Sequence, residues 1–170
     1  RKREISFLEF ELQEIEEAGL RPGEDEELEK QYKKMSSDRN ILEAMAAVKG
    51  YTGNDNGAQD LVGRAVQETN RMLGVDESLQ QIASLLQDVE SLLSDVNREV
   101  SDYVESMTFS EEEFYETEQR LNLLNRMKAK YGSTVEEILT CQEEKQKDLD
   151  RLYHFEQYKE KLEKEMQKAE

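Results

Sequence analysis

Few side chains in this sequence could carry out chemistry, and they stand apart from one another. The only histidine is His154 and the only cysteine is Cys141. A zinc site needs several Cys or His ligands, and a di-metal site in a helical bundle needs a Glu three residues before a His. Arg151 occupies that position instead. We therefore expect His154 and Cys141 to be ordinary helical residues, and we predict no catalytic, cofactor-binding or metal-binding residues.

The segment from Gly50 to Gly57 reads GYTGNDNG, and its glycines and polar residues invite comparison with a phosphate loop and a calcium loop. A phosphate loop ends in Gly-Lys-Ser/Thr, and that ending is missing here. Asp55, Asn56 and Gly57 resemble part of a calcium loop, but no Glu follows at the distance that such a loop requires. The pattern is therefore typical of a solvated turn between two helices.

Two acidic runs, 24–29 and 111–113, could attract a basic partner or could simply begin helices. Carboxylates in the first turn of a helix are stabilised by the positive end of the helix dipole. We favour this second interpretation, and binding of a basic partner remains the alternative.

The composition indicates long helices rather than a sheet protein. The chain has 170 residues, of which 37% are charged and 36% hydrophobic, with one Pro and no Trp. This mixture is typical of coiled coils, whose cores are narrow apolar seams. No apolar run approaches the roughly 20 residues that span a bilayer, and one cysteine cannot form an internal disulfide. We expect a cytoplasmic protein and, from the helical character of both ends, a piece of a longer one.

The net charge of −17 is concentrated in the middle of the chain. Between Asp76 and Glu118 the only basic residue is Arg98. Proteins bind DNA largely through Lys and Arg that displace counterions from phosphates. This acidic segment is therefore not expected to bind DNA itself, and an anionic membrane surface is disfavoured for the same reason.

Turn residues and helix-capping patterns divide the chain into about six helices. Gly19 with Pro22 and Gly23 ends the first helix, and Asp76 is a candidate N-cap for the fourth. Ser110 with Glu113, and Thr134 with Glu137, form capping boxes that begin the fifth and sixth. The predicted helices are 2–18, 24–49, 58–73, 77–107, 110–131 and 134–169.

The fourth helix carries the clearest periodic signal in the chain. Its apolar residues alternate in steps of three and four residues, as the a and d positions of a coiled coil do. The predicted buried seam consists of Leu79, Ile82, Leu86, Val89, Leu93, Val96, Val100, Tyr103 and Met107. The additional Leu85 and Leu92 widen this stripe, which suggests contact with more than one neighbouring helix.

The predicted fold is all-α. Residues 1–18 and 134–170 are expected to form the ascending and descending helices of an antiparallel coiled-coil stalk. Residues 24–131 are expected to form a distal up-down helical bundle, because short connections place successive helices antiparallel. Near the end of the stalk, Tyr153, Phe155 and Tyr158 could pack within it or contact another chain.

Two stretches carry a family resemblance. The run 10–28, FELQEIEEAGLRPGEDEEL, and the run 109–132, which contains EQRL and KAKYG, resemble the bacterial RecN family of SMC-like DNA repair proteins. The resemblance implies an antiparallel arm that joins the two halves of an ATPase head, where ATP and Mg would bind. The Cys-x-x-Cys zinc hook of the related Rad50 proteins is missing, so self-association would use helical surfaces.

The resemblance implies a non-catalytic coiled-coil arm of a DNA double-strand-break repair protein in the bacterial nucleoid. DNA would then be contacted mainly by other parts of the parent protein. The alternative is a free-standing, spectrin-like helical-bundle adaptor that binds a protein partner.

Overall fold

The helices begin and end close to the positions that the capping residues predict. The computed structural model describes residues 1–169, which contain helices and turns and no β-strand. A 3₁₀ turn, Glu77–Leu79, precedes the fourth α-helix. The α-helices are α1 Lys2–Ala18, α2 Glu24–Thr52, α3 Ala58–Met72, α4 Gln80–Ser106, α5 Glu111–Tyr131 and α6 Val135–Ala169. The predicted all-α fold with six helices is confirmed over these residues.

Glycine ends α1 as the sequence predicts. Gly19 has φ 57° and ψ 47°, a left-handed conformation that a side chain disfavours, and its amide donates to the carbonyl of Glu16 at 3.1 Å. Gly23 also has a positive φ, 77°, immediately before α2. The two glycines allow the chain to turn within the five residues that connect α1 and α2.

The predicted end of the second helix at Lys49 is wrong, because α2 continues to Thr52. The Thr52 hydroxyl lies 2.8 Å from the carbonyl oxygen of Val48 and 2.6 Å from Oδ1 of Asn97, and its single hydrogen is shared between these two acceptors. These bonds hold the last turn despite the low helix propensity of Gly50. A Cβ at Gly57 would lie 2.8 Å from the carbonyl oxygen of Gly50. Position 57 therefore needs glycine because the backbone of residue 50 lies too close for a side chain, and not because the helix ends there.

Two predicted caps are formed, one with altered geometry. Oδ1 of Asp76 accepts from the amide of Ser78 at 3.0 Å, as expected for an N-cap. Oγ1 of Thr134 accepts from the amide of Glu137 at 3.1 Å. The Glu137 carboxylate, however, reaches back to the amide and hydroxyl of Ser133 at 2.7 and 2.6 Å. The reciprocal bond of this capping box is therefore displaced by one residue.

The helices group into two compact units. One contains residues 1–33 and the described residues from 112 onward, and the other contains residues 34–111. The boundaries lie inside the predicted bundle of residues 24–131, since the first ten residues of α2 and nearly all of α5 group with α1 and α6. We call these the α1/α6 unit and the α3/α4 unit.

In the α1/α6 unit, α1 and α6 pack antiparallel, as predicted. Lys145 forms an ion pair with Glu11 at 3.0 Å, the Tyr153 hydroxyl donates to Glu9, and the Arg1 guanidinium lies 3.8 Å from the centre of the Phe155 ring. Residue numbers along α6 therefore increase as those of the contacting residues along α1 decrease, which makes the two helices antiparallel. The apolar residues of α6 beyond this point are exposed: Tyr158, Leu162 and Met166.

The best-packed part of this unit lies where α1 and α5 end. Ile15, Ala18, Met127 and Ile138 form a buried cluster, and Leu20, Leu123 and Tyr131 pack against it. Each fully buried aliphatic side chain contributes about 2 kcal/mol. The two helix breaks are therefore held by the densest core in the α1/α6 unit.

An ionic cluster ties the start of α2 to α5. Nε and Nη2 of Arg120 donate to Glu24 at 2.6 and 3.1 Å, and Nη2 also donates to the carbonyl of Gly19 at 3.1 Å. Lys128 pairs with Asp25 at 2.8 Å. Glu24 and Asp25 are both buried. Hydrogen bonds from Arg120 and Lys128 hold the pKa values of these two carboxyls below their usual range.

We expect Arg120→Met to destabilise the chain by about 2 kcal/mol, because the buried Glu24 loses its charged donor. The measurement is urea unfolding followed by helical circular dichroism. Arg126→Met is the matched control, since Arg126 is exposed on the same helix and its loss is expected to cost less than about 0.5 kcal/mol. Equal losses in the two variants would contradict the role assigned to Arg120.

The ionic cluster also predicts a loss of stability in acid. Because the folded pKa values of Glu24 and Asp25 are lowered, their contribution is complete at neutral pH and disappears as the pH falls through those values. The urea concentration at the midpoint of unfolding should therefore decrease when the pH is lowered below about 4. The double variant Glu24→Gln, Asp25→Asn should show a smaller fall than the wild type, whereas Glu26→Gln, Glu27→Gln should match it.

Candidate interaction surface

The candidate chemical residues do not converge on one site. His154 is exposed on α6 and Cys141 is half-buried with a free thiol. Asn56, with φ 61°, lies in a turn in which its amide donates to Asp60 at 3.2 Å. Within residues 1–169, no group of three or more His, Cys, Asp or Glu side chains is arranged to hold a metal ion. No helix in the described part of the chain is long and apolar enough to cross a membrane.

The most unusual surface in the described chain is the outer face of α4. It carries six large apolar side chains whose exposed fractions lie between 42% and 63%. They follow one another in steps of three and four residues, with one gap at Glu99. We call this set the α4 face, and its members are Ile82, Leu85, Val89, Leu92, Val96 and Tyr103.

The inner side of α4 packs against α3. The Cβ position of Gly63 lies 3.6 Å from Oε2 of Glu90, and Nε2 of Gln59 donates to the Ser94 hydroxyl at 3.3 Å. Positions on α3 therefore fall as positions on α4 rise, which makes the pair antiparallel. Ala83, Glu90 and Asn97 occupy this side.

Asn97 is the polar centre of the α3/α4 unit. Its Nδ2 donates to the carbonyl of Thr52 at 2.9 Å and to Oε1 of Gln59 at 2.5 Å, and its Oδ1 accepts from the Thr52 hydroxyl. One side chain thus joins the end of α2, the start of α3 and the middle of α4. These bonds fix which side of α4 turns inward, because a half-buried amide needs its partners.

The two flanks of the helix pair differ in character. On one flank, Asp60, Arg64 and Gln67 of α3 line a polar groove with Glu90 and Ser94 of α4. Helical spacing places Leu61, Ala65 and Met72 on the other flank of α3, and Leu61 and Met72 are exposed. The apolar side chains of both helices are therefore concentrated away from the polar groove.

The free border of the α4 face is acidic. Asp88, Asp95 and Asp102 follow at intervals of seven residues and are all exposed. Seven residues are nearly two helical turns, so these carboxylates form one column along the helix. Arg98 pairs with Asp95 at 2.7 Å, and it is the only cation of α4.

The predicted seam of α4 is only half correct. Leu79, Leu86, Leu93, Val100 and Met107 are half-buried, as predicted. The alternate members, Ile82, Val89, Val96 and Tyr103, are exposed instead. Asn97 helps to set this register, and no motif or periodic pattern in the sequence points to it.

The comparisons with known proteins agree on one family, although no protein-family model matches the chain. The DNA repair protein RecN of Bacillus subtilis is 26% identical over 162 residues, which are 95% of this chain and 28% of the relative. The RecN protein of Deinococcus radiodurans is 31% identical over 140 residues, which are 82% of the chain and 25% of the relative. The chain belongs to the RecN family. It therefore spans between a quarter and three tenths of the length of these RecN relatives.

The RecN similarity extends through both compact units. The RecN protein of Treponema pallidum is 26% identical over an alignment 172 positions long, which covers 99% of this chain and 30% of the relative. The α4 face and the ionic cluster both lie within a region of that coverage. The resemblance of residues 10–28 and 109–132 is confirmed, and this chain corresponds to one region of proteins named DNA repair protein RecN.

We expect Asn97→Leu to destabilise the α3/α4 unit of this RecN chain by about 1–2 kcal/mol, because Thr52 and Gln59 lose their partner. Hydrogen exchange should also speed up at the amides of the last turn of α2. The control is Ser91→Ala, an exposed position on the same helix. Unchanged exchange in Asn97→Leu would show that this residue does not hold the end of α2.

Proposed function

We propose that this chain is the coiled-coil arm of a RecN protein, which links two ATPase head halves and mediates self-association. ATP and Mg belong to the heads in this proposal, and the arm itself is non-catalytic. The antiparallel packing of α1 and α6 supports the linking role, because it carries the chain outward along one helix and back along the other. Heads attached to these two helices would meet at one end of the pair.

The observation that carries the self-association proposal is the exposed α4 face. Contiguous apolar surface that faces water is uncommon in monomeric proteins and marks sites of interaction. Burying the exposed half of a large apolar side chain contributes about 1 kcal/mol. Six side chains from each of two copies would contribute about 12 kcal/mol, which lies within the estimated cost of association of about 4–15 kcal/mol. The gain from burial and the cost of association are therefore similar in size, and we expect a weak association.

The charge of the chain supports a parent protein in which DNA binding and the linking role belong to different regions. The net charge of −17 and the acidic column of α4 repel DNA phosphates. DNA in the nucleoid would then be contacted by other regions of a RecN protein, and the arm would hold those regions together. The similarity to RecN proteins over 82–99% of the chain favours this role over a free-standing adaptor.

We expect Leu85→Glu, Leu92→Glu to weaken self-association by at least tenfold, since two charges would be placed on the apolar face. Sedimentation equilibrium gives the dissociation constant, and circular dichroism checks that the helices persist. Gln80→Glu, Gln87→Glu is the matched control, because it adds the same charge at exposed positions of α4 outside the face. A chain that stays monomeric in its wild-type form at millimolar concentration would refute the self-association.

A further inference from the structure

The α4 face offers a second copy two orientations, and the side chains along it distinguish between them. We propose that a second copy of this chain packs antiparallel on the α4 face, centred on Leu92, and that the acidic column makes this contact stronger as salt rises. This inference rests on the self-association proposed above. It adds the orientation of the partner and the condition that controls the contact.

The α4 face is self-complementary about its centre. In an antiparallel pair centred on Leu92, this residue meets its own copy, Val89 meets Val96, and Ile82 meets Tyr103. An isologous contact between identical chains requires this kind of matching, in which each residue meets a partner that meets it in return. The steps of three and four residues also suit knobs-into-holes packing between two such helices.

The charge at Glu99 opposes the parallel arrangement. Glu99 occupies the one position of the heptad pattern between Val96 and Tyr103 that is not apolar. A parallel pair in register would place two Glu99 carboxylates against each other as water is removed, which is unfavourable for like charges. An antiparallel pair places Glu99 beside Leu85, where its long side chain can reach water at the edge of the contact.

The two borders of the α4 face support the same orientation. In an antiparallel pair of helices, equivalent borders face each other. On one border this brings the two α3 helices to the same side, where the exposed Leu61 and Met72 can be covered. On the other border it brings Asp88 of one copy towards Asp95 of the other.

The acidic border therefore opposes a contact that the apolar face favours. Repulsion between exposed carboxylates is screened by salt, since the Debye length falls from about 30 Å at 0.01 M to about 3 Å at 1 M. Arg98 offsets only part of the charge on each copy, through its ion pair with Asp95. Association is thus expected to tighten with ionic strength, whereas a contact between opposite charges would weaken.

Cross-linking tests the orientation. In a Cys141→Ser background, the variants Ile82→Cys and Tyr103→Cys are mixed and treated with a short bismaleimide. We expect a cross-link between the two variants in the mixture and none within either variant alone. Cross-linking within each variant alone would show a parallel pair and overturn the proposal. A dimer seen by sedimentation without either cross-link would place the contact elsewhere and would also overturn it.

Sedimentation equilibrium tests the charge effect. The dissociation constant of the wild type should fall about tenfold between 0.05 and 0.5 M NaCl. Asp88→Asn, Asp95→Asn should bind more tightly at low salt and respond less to added salt. Glu26→Gln, Glu27→Gln removes the same charge from exposed positions of α2 and should retain the wild-type response.

The outcomes separate the two proposals. If the affinity of the wild-type dimer does not change with salt, the charge effect is overturned and self-association stands. The same conclusion follows if the affinities of the Asp88→Asn, Asp95→Asn variant and of its control respond equally to salt. A wild-type chain that forms no dimer at any salt concentration overturns both.

Discussion

The guanidinium group of Arg120 holds together three parts of the chain that are distant in sequence. It donates to the carbonyl at the end of α1 and to the carboxylate at the start of α2, while its own backbone belongs to α5. Glu24 also accepts from the amide of Arg21 at 3.1 Å, so the turn between the two helices is closed from both sides. A buried carboxylate is stable only with such partners. The direction in which α2 leaves α1 therefore depends on this one cation.

The two compact units use different means to hold their helices. The α1/α6 unit combines a dry apolar cluster with ion pairs at its edges, and it encloses side chains such as Leu124, Val135 and Ile138 completely. In the α3/α4 unit the described core is thinner, with Ala83 as its buried apolar side chain, and an amide network around Asn97 fixes the register. A thin core leaves apolar surface in water, and that surface is the basis of the interaction proposed for this RecN chain.

Tyr131 shows how the polar groups of the α1/α6 unit reinforce one another. Its hydroxyl donates to Glu14 at 2.9 Å, and Glu14 also accepts from Lys130 at 3.0 Å. Burial and the neighbouring Glu14 raise the pKa of Tyr131, while hydrogen bonds from Lys130 and Tyr131 lower the pKa of Glu14. Both groups therefore keep the protonation states that their hydrogen bond requires at neutral pH. The contact links α5 to α1 beside the end of α5.

The sequence by itself determined the helices, most of their caps and the antiparallel partnership of α1 with α6. These features follow from local rules: Gly19 ends a helix because only glycine adopts its backbone angles cheaply, and Asp76 begins one because its side chain satisfies a free amide. The family resemblance was also readable from two short motifs.

Only the tertiary structure decided which apolar residues of α4 are covered. Leu79, Leu86 and Leu93 belong to two overlapping heptad patterns, one continued by Ile82 and Val89 and the other by Ala83 and Glu90. Periodicity cannot choose between them, because both have the spacing of a coiled coil. The position of α3 and the hydrogen bonds of Asn97 make the choice, since an amide on the inner side finds partners there. The same limit applies to Glu24 and Asp25, whose pattern indicated a helix N-terminus and whose burial depends on Arg120 and Lys128, about a hundred residues away.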